Sequence, residues 1–242
     1  MPARAGIVWV IASYRLFRAN MPLLSALTFG YLMVFTLMLV LPGGIGGMLF
    51  PLLQPMLTLA IANGCRGIAQ NGNRPPPPDL LAGIRKRRPE LMKLGALQLA
   101  GSLTVMLMMY LLDAKPDPEQ PDQIFQVMAV VALLSSPLLL AFWFSPLLTG
   151  WHDVPPLKST FFSLVAALRN WRAFLVYALT LLAVVLLPAL LAMFAMQISE
   201  TFGQILAKAI EILMLLLVLP TVLAGTYVSY HDIFAAPPVN EP

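Results

Sequence analysis

Of the 242 residues 59% are apolar and 11% charged, less than half the charged share of an ordinary soluble domain, about 25%. With a mean hydropathy of +0.82, most of this chain belongs in lipid, which excludes a single water-facing core. A net charge of +4 would suggest nucleic acid in a soluble protein. Here the cations sit in short segments beside apolar runs, so anionic lipid headgroups are the expected partner and nucleic acid is not.

The N-terminus does not read as a cleavable signal. Basic residues continue to Arg18, and the apolar run 21–41 is too long for a signal core and has no small-x-small exit. It reads as a first span, which needs roughly 20 apolar residues. Six stretches meet that need, at about 21–41, 47–66, 94–112, 124–148, 174–197 and 207–229. The Pro-Gly-Gly-Ile-Gly-Gly between the first two predicts a tight turn. The second connection, 113–122, is acidic and proline-rich, and the third, near 197–204, is short. Cys65 is the sole cysteine, so no intrachain disulfide can form.

Orientation follows from the cations. Arg4, Arg15, Arg18, Arg66, Arg74, Arg85, Lys86, Arg87, Arg88, Lys93, Lys158, Arg169 and Arg172 fall on one side, thirteen of the 15 basic residues. Lys115 and Lys208 remain on the other. Both termini are therefore expected in the cytoplasm, at a bacterial inner membrane.

The same cations show a repeat. Residues 4, 15 and 18, then 74, 85 and 88, then 158, 169 and 172 each spell [K/R]-x10-R-x2-R before a pair of spans. Positions 11 and 3 apart lie within about 60° on a helix. In the third copy Leu157, Phe161, Leu164, Val165 and Leu168 form the neighbouring apolar stripe, with Ser159, Ser163 and Asn170 facing away. In the first, Ile7, Ile11, Tyr14 and Phe17 lie beside Arg4, Arg15 and Arg18. Such helices can lie in the interface plane with their cations reaching phosphates. In the middle copy the prolines at 75–78 form a stiff spacer, and only 79–88 can be helical, with Asp79 as its N-cap. The expected fold is therefore all-α: one integral membrane domain over 1–242, with six spans as three hairpins, each preceded by a basic amphipathic helix. The units run 4–73, 74–157 and 158–234, related by a pseudo-threefold axis along the membrane normal, with 235–242 a flexible tail.

Little in the spans carries chemistry. Lys208 and Glu211 enter the sixth, spaced for a local ion pair. Gln54, Asn63, Gln98, Ser102, Ser135 and Ser136 are expected to knit helices together. Prolines 51, 55, 137, 146, 188 and 220 break the spans, as neighbouring helices tolerate. Two His-Asp pairs, at Trp151-His152-Asp153 and Tyr230-His231-Asp232, end returning helices. Their spacing matches no known metal motif, so Trp and Tyr anchoring with His-Asp capping the turn is the favoured reading. Trp9, Trp171, Phe161 and Phe162 read as interface anchors. No nucleophile, paired catalytic carboxylates or phosphate loop stands out, so no enzyme activity, cofactor or metal is expected.

The segments AFWFSPLLTGWHDVPPLKSTFFSLVAALRNWRAFLVY (141–177) and YVSYHDIF (227–234), with the Trp-containing basic N-terminal helix, resemble a family of multi-pass proteobacterial inner-membrane proteins of no established activity. The resemblance implies a multi-pass inner-membrane protein. In the family pattern Arg often stands where His231 stands here, which suits headgroup contact better than a two-histidine metal site. The leading expectation is a non-enzymatic inner-membrane protein that contacts anionic lipid headgroups, a partner membrane protein or a second copy of itself. The candidate contact residues are Arg15, Arg18, Arg85, Arg88, Trp151, His152, Lys158, Arg169, Trp171 and Arg172. The alternatives are a transporter or channel for a lipidic or small amphipathic solute through the proline-broken helices, and, last, a metal-dependent hydrolase at the His-Asp turns.

Overall fold

In hydrocarbon a backbone amide finds no water, so a spanning segment must satisfy its hydrogen bonds internally, and helix is the local answer. The computed structural model, which describes residues 1–71, 79–112 and 121–234, is helical throughout its regular elements. Among the described residues ten α-helices follow in order: α1 (Ala5–Ala19), α2 (Met21–Leu39), α3 (Ile45–Asn71), α4 (Ile84–Leu111), α5 (Pro121–Trp143), α6 (Ser145–His152), α7 (Pro156–Arg169), α8 (Trp171–Ile198), α9 (Glu200–Leu213) and α10 (Leu219–Phe234). Among the described residues six helical stretches are long and apolar enough to cross a membrane: Met21–Leu39, Pro42–Gln70, Ile84–Leu111, Gln126–His152, Trp171–Ile198 and Glu200–Phe234. Each contains or overlaps one of the six runs expected from sequence. Arg74, the prolines at 75–78, nearly all of the acidic connection 113–122 and the tail 235–242 lie outside the described residues.

The breaks between helices have local causes. Gly43 and Gly44 take φ of 70° and 71° in a single 3-10 turn, Pro42–Gly44, that joins α2 to α3, a conformation glycine adopts without steric cost. A side chain at Gly46 would collide with the carbonyl of Met38. Ser199 separates α8 from α9 and caps the latter, its hydroxyl accepting from the Phe202 amide. A five-residue π-helical segment, Met214–Val218, precedes Pro220 near the start of α10. The wider i→i+5 bonding there keeps backbone groups paired through the approach to a proline that has no N–H to give.

The chain divides into two packed units. The first comprises Met1–Tyr31, Ile61–Leu80 and Asn170–Pro242, in which α1 packs on α8 and α10, and α8 on α9. The second comprises Leu32–Ala60 and Leu81–Arg169, in which α7 packs on α5, α6 and α4, and α4 on α5 and α6. Within the second, Gln98 of α4 donates to Gln54 of α3 at 2.5 Å, beside Gly95, where a side chain would strike the backbone of Leu52. A glycine that admits a neighbouring backbone and a pair of amides that bond across the gap are the usual glue of helices in lipid. Within the first unit Asn63 of α3 donates to the Leu80 carbonyl at 2.9 Å. Ser102 and Ser136 instead bond carbonyls of their own helices. Lys208 and Glu211 form the expected ion pair, 2.7 Å apart and exposed.

Candidate membrane-surface site

Helix α7 opens on Pro156, whose fixed φ suits a first helical position, and ends before Asn170, where the backbone leaves helical geometry at φ −113°, ψ 22°. Ser159, Ser163 and Ala167 recur every four residues and are fully buried. Ser163 is the keystone of this face. Its hydroxyl accepts from the Phe144 amide at 3.0 Å and donates to the Leu140 carbonyl at 2.7 Å. Phe144 lies at the break between α5 and α6, so one side chain satisfies the amide and carbonyl released there. Thr149 of α6 adds a hydrogen bond to the Ser159 hydroxyl at 2.9 Å.

With this face inward, Leu157, Phe161 and Leu168 point outward, 71%, 61% and 54% exposed, beside the exposed Lys158 and Arg169. Ser159 and Ser163 lie opposite that stripe, as the sequence led us to expect, and the side they face is the protein. Small side chains are what lets two helices approach, whereas the apolar stripe of an interfacial helix belongs to lipid. Beyond Asn170, Trp171 and Arg172 are exposed in the first turn of α8, with the Arg172 guanidinium 5.5 Å from the indole centroid. The N-terminal ammonium donates to the Asn170 side chain at 2.7 Å.

Helix α1 has the same plan with a different inner face. Ala5, Gly6, Trp9, Ser13 and Phe17 are buried, while Arg4, Ile7, Val8, Ile11, Tyr14, Arg15 and Arg18 are exposed. Gly6 sits where any side chain would meet the Ala173 carbonyl and the Tyr177 amide of α8, and that approach brings Trp9 into the seam. Trp9 is 1% exposed, edge-on to Phe174 at 5.3 Å and Tyr177 at 6.1 Å. Its indole N–H donates to the Asp232 carboxylate of α10 at 2.7 Å. Trp9 is thus a core residue and not an interface anchor, and Phe17 leaves the apolar stripe to join it.

The middle basic segment is not a separate helix. Gly83, at φ 75°, precedes α4 and presses against the backbone of Gly150. No helix runs through such a φ, so the first turn begins at Ile84 and Asp79 does not cap it. The backbone breaks again at Arg87 (φ −110°, ψ 19°), just ahead of Pro89, as proline's steric demand on the preceding chain favours. Arg85 and Arg88 are exposed. Lys86 and Arg87 turn instead to Asp153, at 3.3 and 3.1 Å, and Arg87 also donates to its carbonyl at 2.8 Å.

Asp153 ends α6 in the left-handed conformation, φ 56°, its amide donating to the Leu148 carbonyl, beside half-buried Trp151 and exposed His152. The two His-Asp turns therefore do different work, Asp153 holding cations and Asp232 an indole. Tyr227 meets the His231 ring at 6.1 Å and Tyr230 stacks on Phe234 at 5.0 Å. Among the described residues no group of three or more His, Cys, Asp or Glu side chains converges to hold a metal ion. Sequence reasoning missed the partners of both aspartates, which lie 67 and 66 residues away for Asp153 and 223 for Asp232, because no local pattern marks contacts so distant in the chain.

No family model matches the chain, and no solved structure does. A probable inner membrane protein of Burkholderia thailandensis is 35% identical to it, with 76% of this chain and 74% of the relative covered. Six membrane-capable helices and that identity across three-quarters of both chains agree, and the chain belongs to the same family as this probable inner membrane protein.

Proposed function

We propose that the protein is a non-enzymatic component of the inner membrane that holds anionic lipid headgroups along its cytoplasmic face. The observation that carries this reading is the outward face of α7, where Lys158 and Arg169 stand beside exposed Leu157, Phe161 and Leu168. An apolar stripe in the acyl boundary with cations at phosphate level is how an interfacial helix binds, each such cation contributing about 1 kcal/mol at an anionic surface. The same composition recurs on α1 with Arg4, Arg15 and Arg18. Trp171 and Arg172 in the first unit, and Arg85, Arg88, Trp151 and His152 in the second, are the further candidates for such contact. The asymmetry of the cations supports cytoplasmic termini, which a C-terminal reporter fusion active only in the cytoplasm tests.

The first and third of the three units share a burial register, and the middle one does not present a separate helix to compare. Counted from Arg4 and Lys158, positions one, five and nine residues on are buried in both helices: Ala5, Trp9 and Ser13, and Ser159, Ser163 and Ala167. The fifth position in each sends a polar bond to a returning helix, Trp9 to α10 and Ser163 to α5. The decisive test of function is co-purification. Replacing Arg169 and Arg172 with Gln should lower the anionic lipid retained after gentle extraction and nanodisc transfer. Unchanged lipid content, or retention of a protein in its place, overturns the lipid reading.

A further inference from the structure

The outward face of α7 is not flat. Between α7 and the end of α5 runs an open groove of about 450 Å³, lined by Ala141, Leu157, Lys158, Thr160, Phe161 and Leu164. That volume falls within the range of about 300–1,000 Å³ usual for small-molecule sites. Thr160 is the one uncharged polar residue among them, and its hydroxyl is engaged by the carbonyls of Pro156 and Leu157. An occupant therefore meets hydrocarbon along the groove and one ammonium group at Lys158.

We propose that this groove holds one acyl chain of an anionic phospholipid, with the headgroup phosphate met by Lys158. Charge selects the lipid. Helix α7 contains no Asp or Glu, and the carboxylate of nearby Asp153 is held by Lys86 and Arg87. Nothing on α7 thus offsets the positive charge of Lys158, and a phosphate there is drawn by an uncancelled cation. Geometry selects the chain. Ala141 gives α5 a small residue where α7 presents Leu157, Phe161 and Leu164, at i, i+4 and i+7, so a thin hydrocarbon fits between bulky walls. The Thr160 O–H proton is already donated to carbonyls of its own helix, so the groove offers a polar solute no uncharged donor.

The inference rests on the headgroup-contact reading of α7 and adds a defined seat for the tail. The test uses the full chain in phosphatidylcholine nanodiscs containing a small fraction of phosphatidylglycerol with a photoreactive diazirine in its acyl chain. After irradiation, adducts are mapped by peptide mass spectrometry. They should concentrate at 141 and 157–164, fall severalfold in Ala141→Leu, and fall likewise in Phe161→Ala, which removes an exposed wall without touching the core. Lys158→Gln should lower adducts from labelled phosphatidylglycerol but leave those from equally labelled phosphatidylcholine unchanged. Adducts spread evenly over the six spans, adducts insensitive to both groove variants, or crosslinks joining two copies of the chain through 157–164 overturn the proposal. Arg169→Gln with Arg172→Gln separates the two readings. Loss of anionic preference in that pair with groove adducts unchanged by Ala141→Leu leaves the surface role and removes the groove. The reverse result keeps the groove and removes the surface role.

Discussion

Helices α1 and α7 present the same outer surface on different inner faces. Both carry a cation, then arginines 11 and 14 residues on, the last of the α7 set lying in α8, and both expose apolar side chains between them. Inside, α7 is seated by small residues and a serine that bonds two backbone groups of a broken helix. In α1 the equivalent seat is taken by a tryptophan with three partners on α8 and α10. The difference follows from chain connectivity. Helix α7 follows α6 after three residues, so its docking costs little closure entropy. Helix α1 docks on elements that begin at Trp171, and the cost of closure rises with the length of the loop. A large aromatic with a charge-assisted hydrogen bond supplies the greater stabilisation that this distant docking requires. The outer face is what the two helices share, and the inner face is where they are free to differ.

Truncating each keystone measures that contrast. Trp9→Ala should cost about 3–5 kcal/mol, the usual loss for a buried tryptophan, and release α1, as read by thermal unfolding in detergent and by protease sensitivity of residues 1–19. Ser163→Ala removes the acceptor of the Phe144 amide and should cost about 1–3 kcal/mol, the range for a buried donor left without its partner. Were the serine variant the more damaging of the two, the assignment of distant docking to Trp9 would be wrong. Asp232→Asn is gentler. The indole keeps an amide oxygen to bond, and hydrogen bonds between membrane helices average about 0.6 kcal/mol in double-mutant cycles, so a loss below about 1 kcal/mol is expected. In the Trp9→Phe background the same change should cost nothing further, because the donor is already gone.

The sequence made the six spans readable, since span length is set by the bilayer, but not their proline breaks. Pro51, Pro55, Pro137 and Pro188 lie inside continuous helices, and of the six prolines only Pro146 and Pro220 stand next to an interruption. It also placed the cations and apolar stripes of α1 and α7 on common faces. It could not say which face meets protein. In water the apolar stripe is buried, but beside lipid it can face outward while Ser159, Ser163 and Gly6 make the protein contact. Periodicity is the same in both cases: it set the serines opposite the stripe, where they lie, and left open that theirs is the protein side. Asp79 failed as a cap for a local reason, the positive φ of Gly83, which is required by the approach of Gly150 from far along the chain. The Trp9–Asp232 bond has no local signature at all.

Of the two aspartates, Asp153 should matter less than its position suggests. Its side chain is 55% exposed and that of Lys86 77%, which puts this pair among surface salt bridges worth about 0–1 kcal/mol. The better-buried Arg87 also bonds the Asp153 backbone carbonyl and keeps that bond without the charge. The backbone of Asp153 is the more demanding part, because φ 56° lies in the left-handed region. Asn adopts that region about as readily as Asp, so Asp153→Asn keeps the turn, keeps an acceptor for Arg87 and loses only charge. The expected cost is below about 1 kcal/mol and should vanish in high salt, where exposed pairs are screened. Asp153→Val keeps neither, since a β-branched residue is strained at this φ, and should exceed the Asn variant at every salt concentration. A salt-independent loss of 2 kcal/mol or more in Asp153→Asn would mean that the carboxylate, and not the turn, holds α4 to the end of α6.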